Sequence, residues 1–260
     1  MSLSVALILL ISGLFVGFIN TLSAGGTVIS VALYLALGLP ANVANATNRI
    51  NVLIQSFGTS YLMHRNKLLD INKAIRFSVP AIIGALIGSL FAVRISNDLF
   101  SYFMGAILLF MIVFLFYKPK SFHEDNLEKI NKKTPFYHYI VFFFIGIYGG
   151  FIQVGTGFYL IMAGTGLLGL NILRTNALKI AIMGAYTVVA MLVFVLDSKI
   201  IWSYGLVHSA GAIIGSWIAT RFAMRRGAGF VNIIIILVII LTALNLFGII
   251  DLQKFFASIV

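Results

Sequence analysis

Two cations, Arg49 and Lys179, stand where chemistry is least expected. Arg49 lies in ANVANATNRINVLIQS (41–56) and Lys179 in TNALKIAIMG (175–184), stretches otherwise apolar or neutral. At helical spacing Asn45, Asn48 and Arg49 share one face at i, i+3 and i+4, with Thr47 between them. Thr175 and Lys179 repeat that spacing, with Asn176 alongside. Arg49 falls about eight residues into its helix, roughly 12 Å along the axis. A cation at such depth in a membrane costs several kcal/mol unless it is paired, and marks a functional site by default. The bland alternative is snorkelling, or hydrogen bonding to carbonyls at nearby helix breaks. The seven acidic residues, Asp70, Asp98, Glu124, Asp125, Glu128, Asp197 and Asp251, all lie in or near loops. No carboxylate is placed to neutralise the pair, whereas an anion from outside the protein would do so. Neutral hydrogen bonds would come from Asn45, Thr47, Asn48, Thr175 and Asn176, and N–H donors from helix N-termini at the breaks.

Elements that hold residues this way must cross a membrane. The 260-residue chain is 61% hydrophobic and 10% charged, against about 45–50% and 25% in soluble domains. This composition predicts an all-α polytopic membrane protein, with lipid as its surroundings. MSLSVALILL has neither a basic n-region nor a small-residue cleavage site, so a cleaved signal peptide is not expected. Cysteine is absent, which excludes thiolate metal sites and thiol catalysis; no cofactor and no metal are expected. The net charge of +11 reads as topology signals facing anionic lipid, not as nucleic-acid binding.

Apolar stretches cover roughly 3–39, 41–63, 75–93, 99–117, 139–170, 176–196, 201–220 and 230–250. The first and fifth are too long for one crossing. Each is cut by small residues, Ser23-Ala24-Gly25-Gly26-Thr27 and Val154-Gly155-Thr156-Gly157. Such a break survives at membrane depth only inside protein or beside a water-filled cavity. The chain also repeats itself: GALIGSLFAVR (84–94) against GAIIGSWIATR (211–221), and Gly13-x-x-x-Gly17-Phe18-Ile19-Asn20 against Gly146-x-x-x-Gly150-Phe151-Ile152-Gln153. Gly25-Gly26 pairs with Thr156-Gly157, and Arg49-Ile50 with Lys179-Ile180. The Gly-x-x-x-Gly spacing has a plain packing meaning, since small residues let helices approach closely. Residues 1–117 and 139–260 are thus two repeats, joined by a linker at 118–138.

Loop charge sets the orientation. The loop at 64–76 carries Arg65, Lys67, Lys73 and Arg76, while its counterpart has Lys199 beside Asp197. The next loop reverses this bias, with Arg94 and Asp98 against Arg221, Arg225 and Arg226. The repeats should therefore be inverted. Placing 64–76, 118–138, 169–175 and 221–229 in the cytoplasm puts 13 of 18 cations there. Inversion needs an odd number of crossings per repeat, so each broken element is a helical hairpin returning to its own side, followed by three transmembrane helices. Two half-helices or two short complete spans would serve equally.

The G-x-x-x-G-F entry, the glycine break, ANVANATNRI, RTNALKI and GALIGS together resemble the sulfite exporter family, TauE/SafE, over the whole chain except 118–138. Half one has Ser-Ala-Gly-Gly-Thr where that family usually has a richer glycine run. The resemblance implies export of sulfite or organosulfonates across the bacterial inner membrane. The candidate substrate site read from the residues is Arg49, Lys179, Asn45, Thr47, Asn48, Thr175, Asn176, Asn20, Gln153, Gly25, Gly26, Thr156 and Gly157, with His208 as a candidate for proton coupling. Three readings compete. A hydrolase would need Ser209 and His208 on one helix face with an acid to orient the base, and neither condition holds. A cation transporter would need membrane carboxylates. A passive anion channel, or an uptake carrier for another oxyanion, could use the same cations. Substrate, coupling and oligomeric state stay open, a homodimer included.

Overall fold

The computed structural model describes residues 1–22, 25–116, 124–222 and 229–257. Ser23 and Ala24 of the first break, Lys118 and Lys120 of the linker, and Arg225 and Arg226 lie outside them. Among the described residues there are helices and no strands: α1 (Leu3–Leu22), α2 (Gly26–Ala36), α3 (Ala41–Arg65), α4 (Ile71–Arg94), α5 (Asn97–Phe116), α6 (Leu127–Asn131), α7 (Phe136–Phe151), α8 (Thr156–Met162), a π-helical turn (Ala163–Leu167), α9 (Ile172–Leu196), α10 (Trp202–Phe222), α11 (Gly229–Leu246) and α12 (Leu252–Ala257). By length and composition α1, α4 and α9 are long and apolar enough to cross a membrane.

Both long apolar stretches are broken where the glycines predict, but unequally. α1 has 20 residues and α2 only 11. α7 has 16, and α8 with its π turn 7 and 5. At about 1.5 Å per residue, each hairpin joins a long helix to one near half a bilayer. Gly155, at φ 79°, makes the second break sharp, a conformation that a side chain would strain.

The order α1 to α5 recurs as α7 to α11, and the two sets interleave. α1 packs chiefly on α10 and α4 on α7, while α3 meets α9 and α5 meets α11. Glycine makes the first two pairings close. A Cβ on Gly13 or Gly17 would strike the carbonyls of His208 or Ala212; one on Gly211 or Gly215 would strike those of Leu10 or Leu14. The partner pair is the same, with Gly84 and Gly88 against the carbonyls of Phe143 and Ile147, and Gly146 and Gly150 against those of Ala81 and Ala85. Backbone-to-backbone approach of this kind substitutes van der Waals contact for the hydrophobic drive that lipid removes.

The repeat also runs further than the motifs predict. Leu37-Gly38-Leu39 after α2 matches Leu168-Gly169-Leu170 after the π turn, with both glycines left-handed (φ 87° and 70°). Lys67 and Ser198, ending α3 and α9, are the two non-glycine residues at positive φ among the described ones. Asn126-Leu127-Glu128-Lys129 matches Asp251-Leu252-Gln253-Lys254. Asn126 Oδ1 accepts from Lys129 N and Asp251 Oδ1 from Lys254 N, each at 3.1 Å, which caps α6 and α12 alike. Each short helix closes over a hairpin end: Lys129 and Asn126 lie against Gly169, and Gln253 lies against Gly38.

Candidate functional site

The site forms where the helix breaks meet α3 and α9. Asn45 on α3 clamps the second break: its Nδ2 donates to the Phe151 carbonyl and its Oδ1 accepts from the Gln153 N–H, both at 3.1 Å. One turn later Arg49 reaches the end of α7, with Nη1 donating to the Gly149 carbonyl at 3.2 Å and Nη2 to that of Gly150 at 2.6 Å. Its guanidinium carbon lies 4.5 Å from the centre of the Phe194 ring. α9 treats the first break in the same manner: Lys179 Nζ donates to the Asn20 carbonyl near the end of α1, at 3.1 Å. Arg49 is 0% exposed and Lys179 2%. Each cation thus holds the carboxyl-terminal end of the facing repeat's first helix, where free carbonyls sum to roughly half a negative charge.

This arrangement realises the carbonyl alternative at both cations. At the second break Gly155 N–H donates to Thr27 Oγ1 at 3.3 Å and Thr156 N–H to the Gln153 carbonyl at 3.3 Å. The Gly155–Thr27 bond also joins the two breaks. Yet carbonyl dipoles are partial charges. Six of the seven acidic residues are exposed and Asp125 is half-buried, so no carboxylate enters the layer.

The layer is also short of partners for its neutral groups. Both amide atoms of Asn48 and of Asn51 are buried without a protein partner, as are Arg49 Nε, Gln153 Oε1 and Asn176 Oδ1. Each such group costs about 1–3 kcal/mol if it stays unmet, and native structures keep few.

The sequence-derived residues divide into groups. Arg49, Asn45, Gln153 and Thr156 converge on the second break, and Lys179 and Asn20 on the first. Gly25, Gly26 and Gly157 are buried backbone there, and a Cβ on Gly26 would come 2.7 Å from the Val16 carbonyl. Thr47 and Thr175 are committed elsewhere. Thr47 Oγ1 accepts from the Ile201 N–H at 3.1 Å at the entry to α10, and Thr175 Oγ1 donates to the Leu170 carbonyl at 3.2 Å. His208 is fully buried, its ring centre 5.5 Å from that of Tyr34, with both ring nitrogens unpartnered.

Gln55, Thr27 and Thr187 belong to the site and escaped the sequence reading. Gln55 accepts from Asn20 Nδ2 at 3.1 Å and donates to the Gly17 carbonyl at 3.1 Å. Thr187 Oγ1 accepts from Gln153 Nε2 at 2.7 Å. The signal for Gln55 was its spacing, two turns beyond Asn48 on the same helix face.

A family model described as "Sulfite exporter TauE/SafE" matches residues 9–246. The chain is 24% identical to "Probable membrane transporter protein ORF9" of Sinorhizobium sp, over 92% of this chain and 90% of that protein. It is 24% identical to "Probable membrane transporter protein" of Haemophilus influenzae, over 91% and 92%. It is 23% identical to "Probable membrane transporter protein YfcA" of Escherichia coli, over 85% and 82%. No solved structure matches the chain significantly.

Proposed function

The chain belongs to the sulfite exporter TauE/SafE family and is a multi-pass membrane transporter; on that premise we propose that it exports small oxyanions, sulfite or organosulfonates, from a bacterial cytoplasm. The substrate binds between two inverted repeats, at the layer of Arg49 and Lys179, and reaches it by alternating access. The observation that carries this reading is a pair of fully buried cations with no buried carboxylate, in a layer where Asn48, Asn51 and Gln153 keep unpartnered polar atoms. A bound oxyanion would supply the missing negative charge and the missing hydrogen-bond partners together. Arginine suits that role because its planar fork can pair bidentately with an oxyanion.

Thermal unfolding of the purified protein tests the site. Sulfite should raise the melting temperature in proportion to the logarithm of its concentration. In Arg49→Gln, which keeps a donor for the α7 carbonyls but loses the charge, an equal rise in melting temperature should need at least ten times more sulfite. An unchanged response would remove Arg49 from the site. Proteoliposomes then separate a carrier from a channel: trans-sulfite should accelerate sulfite efflux through a carrier and leave a channel's flux unaltered.

A further inference from the structure

A second basic site lies away from the cation layer. The start of α4, the linker helix α6, the first turn of α7 and the end of the π turn enclose a cleft of about 420 Å³. Lys73, Lys129, Lys132 and Lys133 line it, with Phe77 and His138, and no acidic residue does. The volume falls in the range of roughly 300–1,000 Å³ typical of small-molecule pockets, far more than a bare oxyanion fills. Lys73 is partly neutralised by Asp70 at 3.7 Å, and Lys129 Nζ donates to the Gly166 carbonyl at 2.7 Å. Lys132 and Lys133 have no ion-pair partner among the described residues. Arg76 adds charge at the rim, its Nη1 donating to Thr134 Oγ1 at 3.3 Å.

The second observation is His138. Its side chain is 5% exposed, it lines the cleft, and its Nδ1 is buried with no partner. α12, the counterpart of α6, contributes a single lysine, Lys254, paired with Asp251. The lysine cluster is therefore not a by-product of the repeat. Four ammonium groups suit a compact, multiply charged anion, and lysine binds phosphate as a point charge. Phe77, Leu167 and Leu168 offer an apolar wall to whatever the phosphate is attached to.

We propose that this cleft is an accessory site for a phosphate-bearing organic anion, either a soluble phosphomonoester or the headgroup of an anionic lipid. Bound there, the phosphate bridges α6 to the starts of α4 and α7. It so fastens the short helix that closes over the end of the second hairpin.

The test uses the full-length protein in phosphatidylcholine nanodiscs, with glycerol 3-phosphate as the soluble probe and nanodiscs containing phosphatidic acid, its lipid phosphomonoester counterpart, as the lipid arm. Stabilisation of the wild type by glycerol 3-phosphate identifies a soluble source; stabilisation only on moving to phosphatidic acid identifies the lipid. Either response should weaken at least tenfold in Lys129→Gln/Lys132→Gln/Lys133→Gln. Lys132→Gln/Lys133→Gln, which spares the Lys129–Gly166 bond, should weaken it measurably. The response should persist in Arg49→Gln, which separates this site from the cation layer. Absence of both responses, indifference to the lysine variants, or loss in Arg49→Gln would each overturn the proposal.

Discussion

At the scale of single residues, Arg49 has two tasks that substitutions can separate. It neutralises the carbonyls ending α7, and it carries the charge assigned to anion binding. Arg49→Ala leaves the Gly149 and Gly150 carbonyls buried without their donors. At about 1–3 kcal/mol per unmet group, the variant should melt several degrees lower and lose its response to sulfite. Arg49→Lys can replace one bond but not the fork, so it should recover most of the stability and only part of the anion response. Paired melting curves with and without sulfite check this; loss of stability in step with loss of response across both variants would mean that the residue is structural only. That Arg49 and Lys179 are buried was legible from polar residues at i, i+3 and i+4 in an apolar run. Their partners were not, because backbone carbonyls have no sequence signature and lie 100 and 159 residues away. Thr47 and Thr175 show the converse: sequence puts them beside the cations, but each meets a nearby helix end first.

At the scale of elements, the glycines are the legible part. Their i, i+4 spacing in α1, α4, α7 and α10 predicts close packing, and the carbonyl contacts at Gly13, Gly17, Gly84, Gly88, Gly146, Gly150, Gly211 and Gly215 bear it out. Which helix meets which was hidden, since identical motifs can pair in several ways and only the three-dimensional structure selects α1 with α10 and α4 with α7. The prediction is a contrast in sign. Gly17→Ala and Gly150→Ala must push two backbones apart, and overpacking of this kind costs about 1–3 kcal/mol or more. Gly58→Ala, exposed on α3 with open space around its Cβ position, should gain about 0.5–1 kcal/mol from helix propensity. Chemical denaturation in one detergent checks all three; equal effects would mean that the contacts do not govern stability. The short helices α6 and α12 were illegible because each has only five or six residues, and its cap and glycine partner make sense only once the hairpin ends are in place.

At the scale of the whole molecule, inversion is the claim with the widest consequences. The absence of cysteine makes it directly testable, because any introduced cysteine is the only one. Asn66 and Asp197, exposed at the ends of α3 and α9, are the natural sites. In whole cells an impermeant maleimide should label Asp197→Cys at once and Asn66→Cys only after lysis. Labelling of both from one side would make the repeats parallel and reverse the argument from loop charge.

For the anion exporter proposed above, the membrane potential sets the energetics of transport. With the cell interior negative, an outgoing monovalent anion gains about 2.3 kcal/mol per 100 mV. That is nearly a fiftyfold concentration ratio, at about 1.4 kcal/mol per tenfold. A divalent anion gains twice the energy. An anion exporter therefore needs no carboxylate relay, and the placement of all seven acidic residues outside the buried interior agrees with that economy. His208 is a buried group that could couple a proton instead, and its contact with Tyr34 places it in the α1–α2–α10 cluster. Sulfite efflux from proteoliposomes at symmetric pH, under an imposed potassium-diffusion potential, decides between the two. Efflux should rise steeply with the outward-driving potential and survive His208→Gln. Efflux indifferent to voltage, driven by a pH gradient and abolished in His208→Gln, would instead make the protein a proton-coupled carrier and His208 its titrating group.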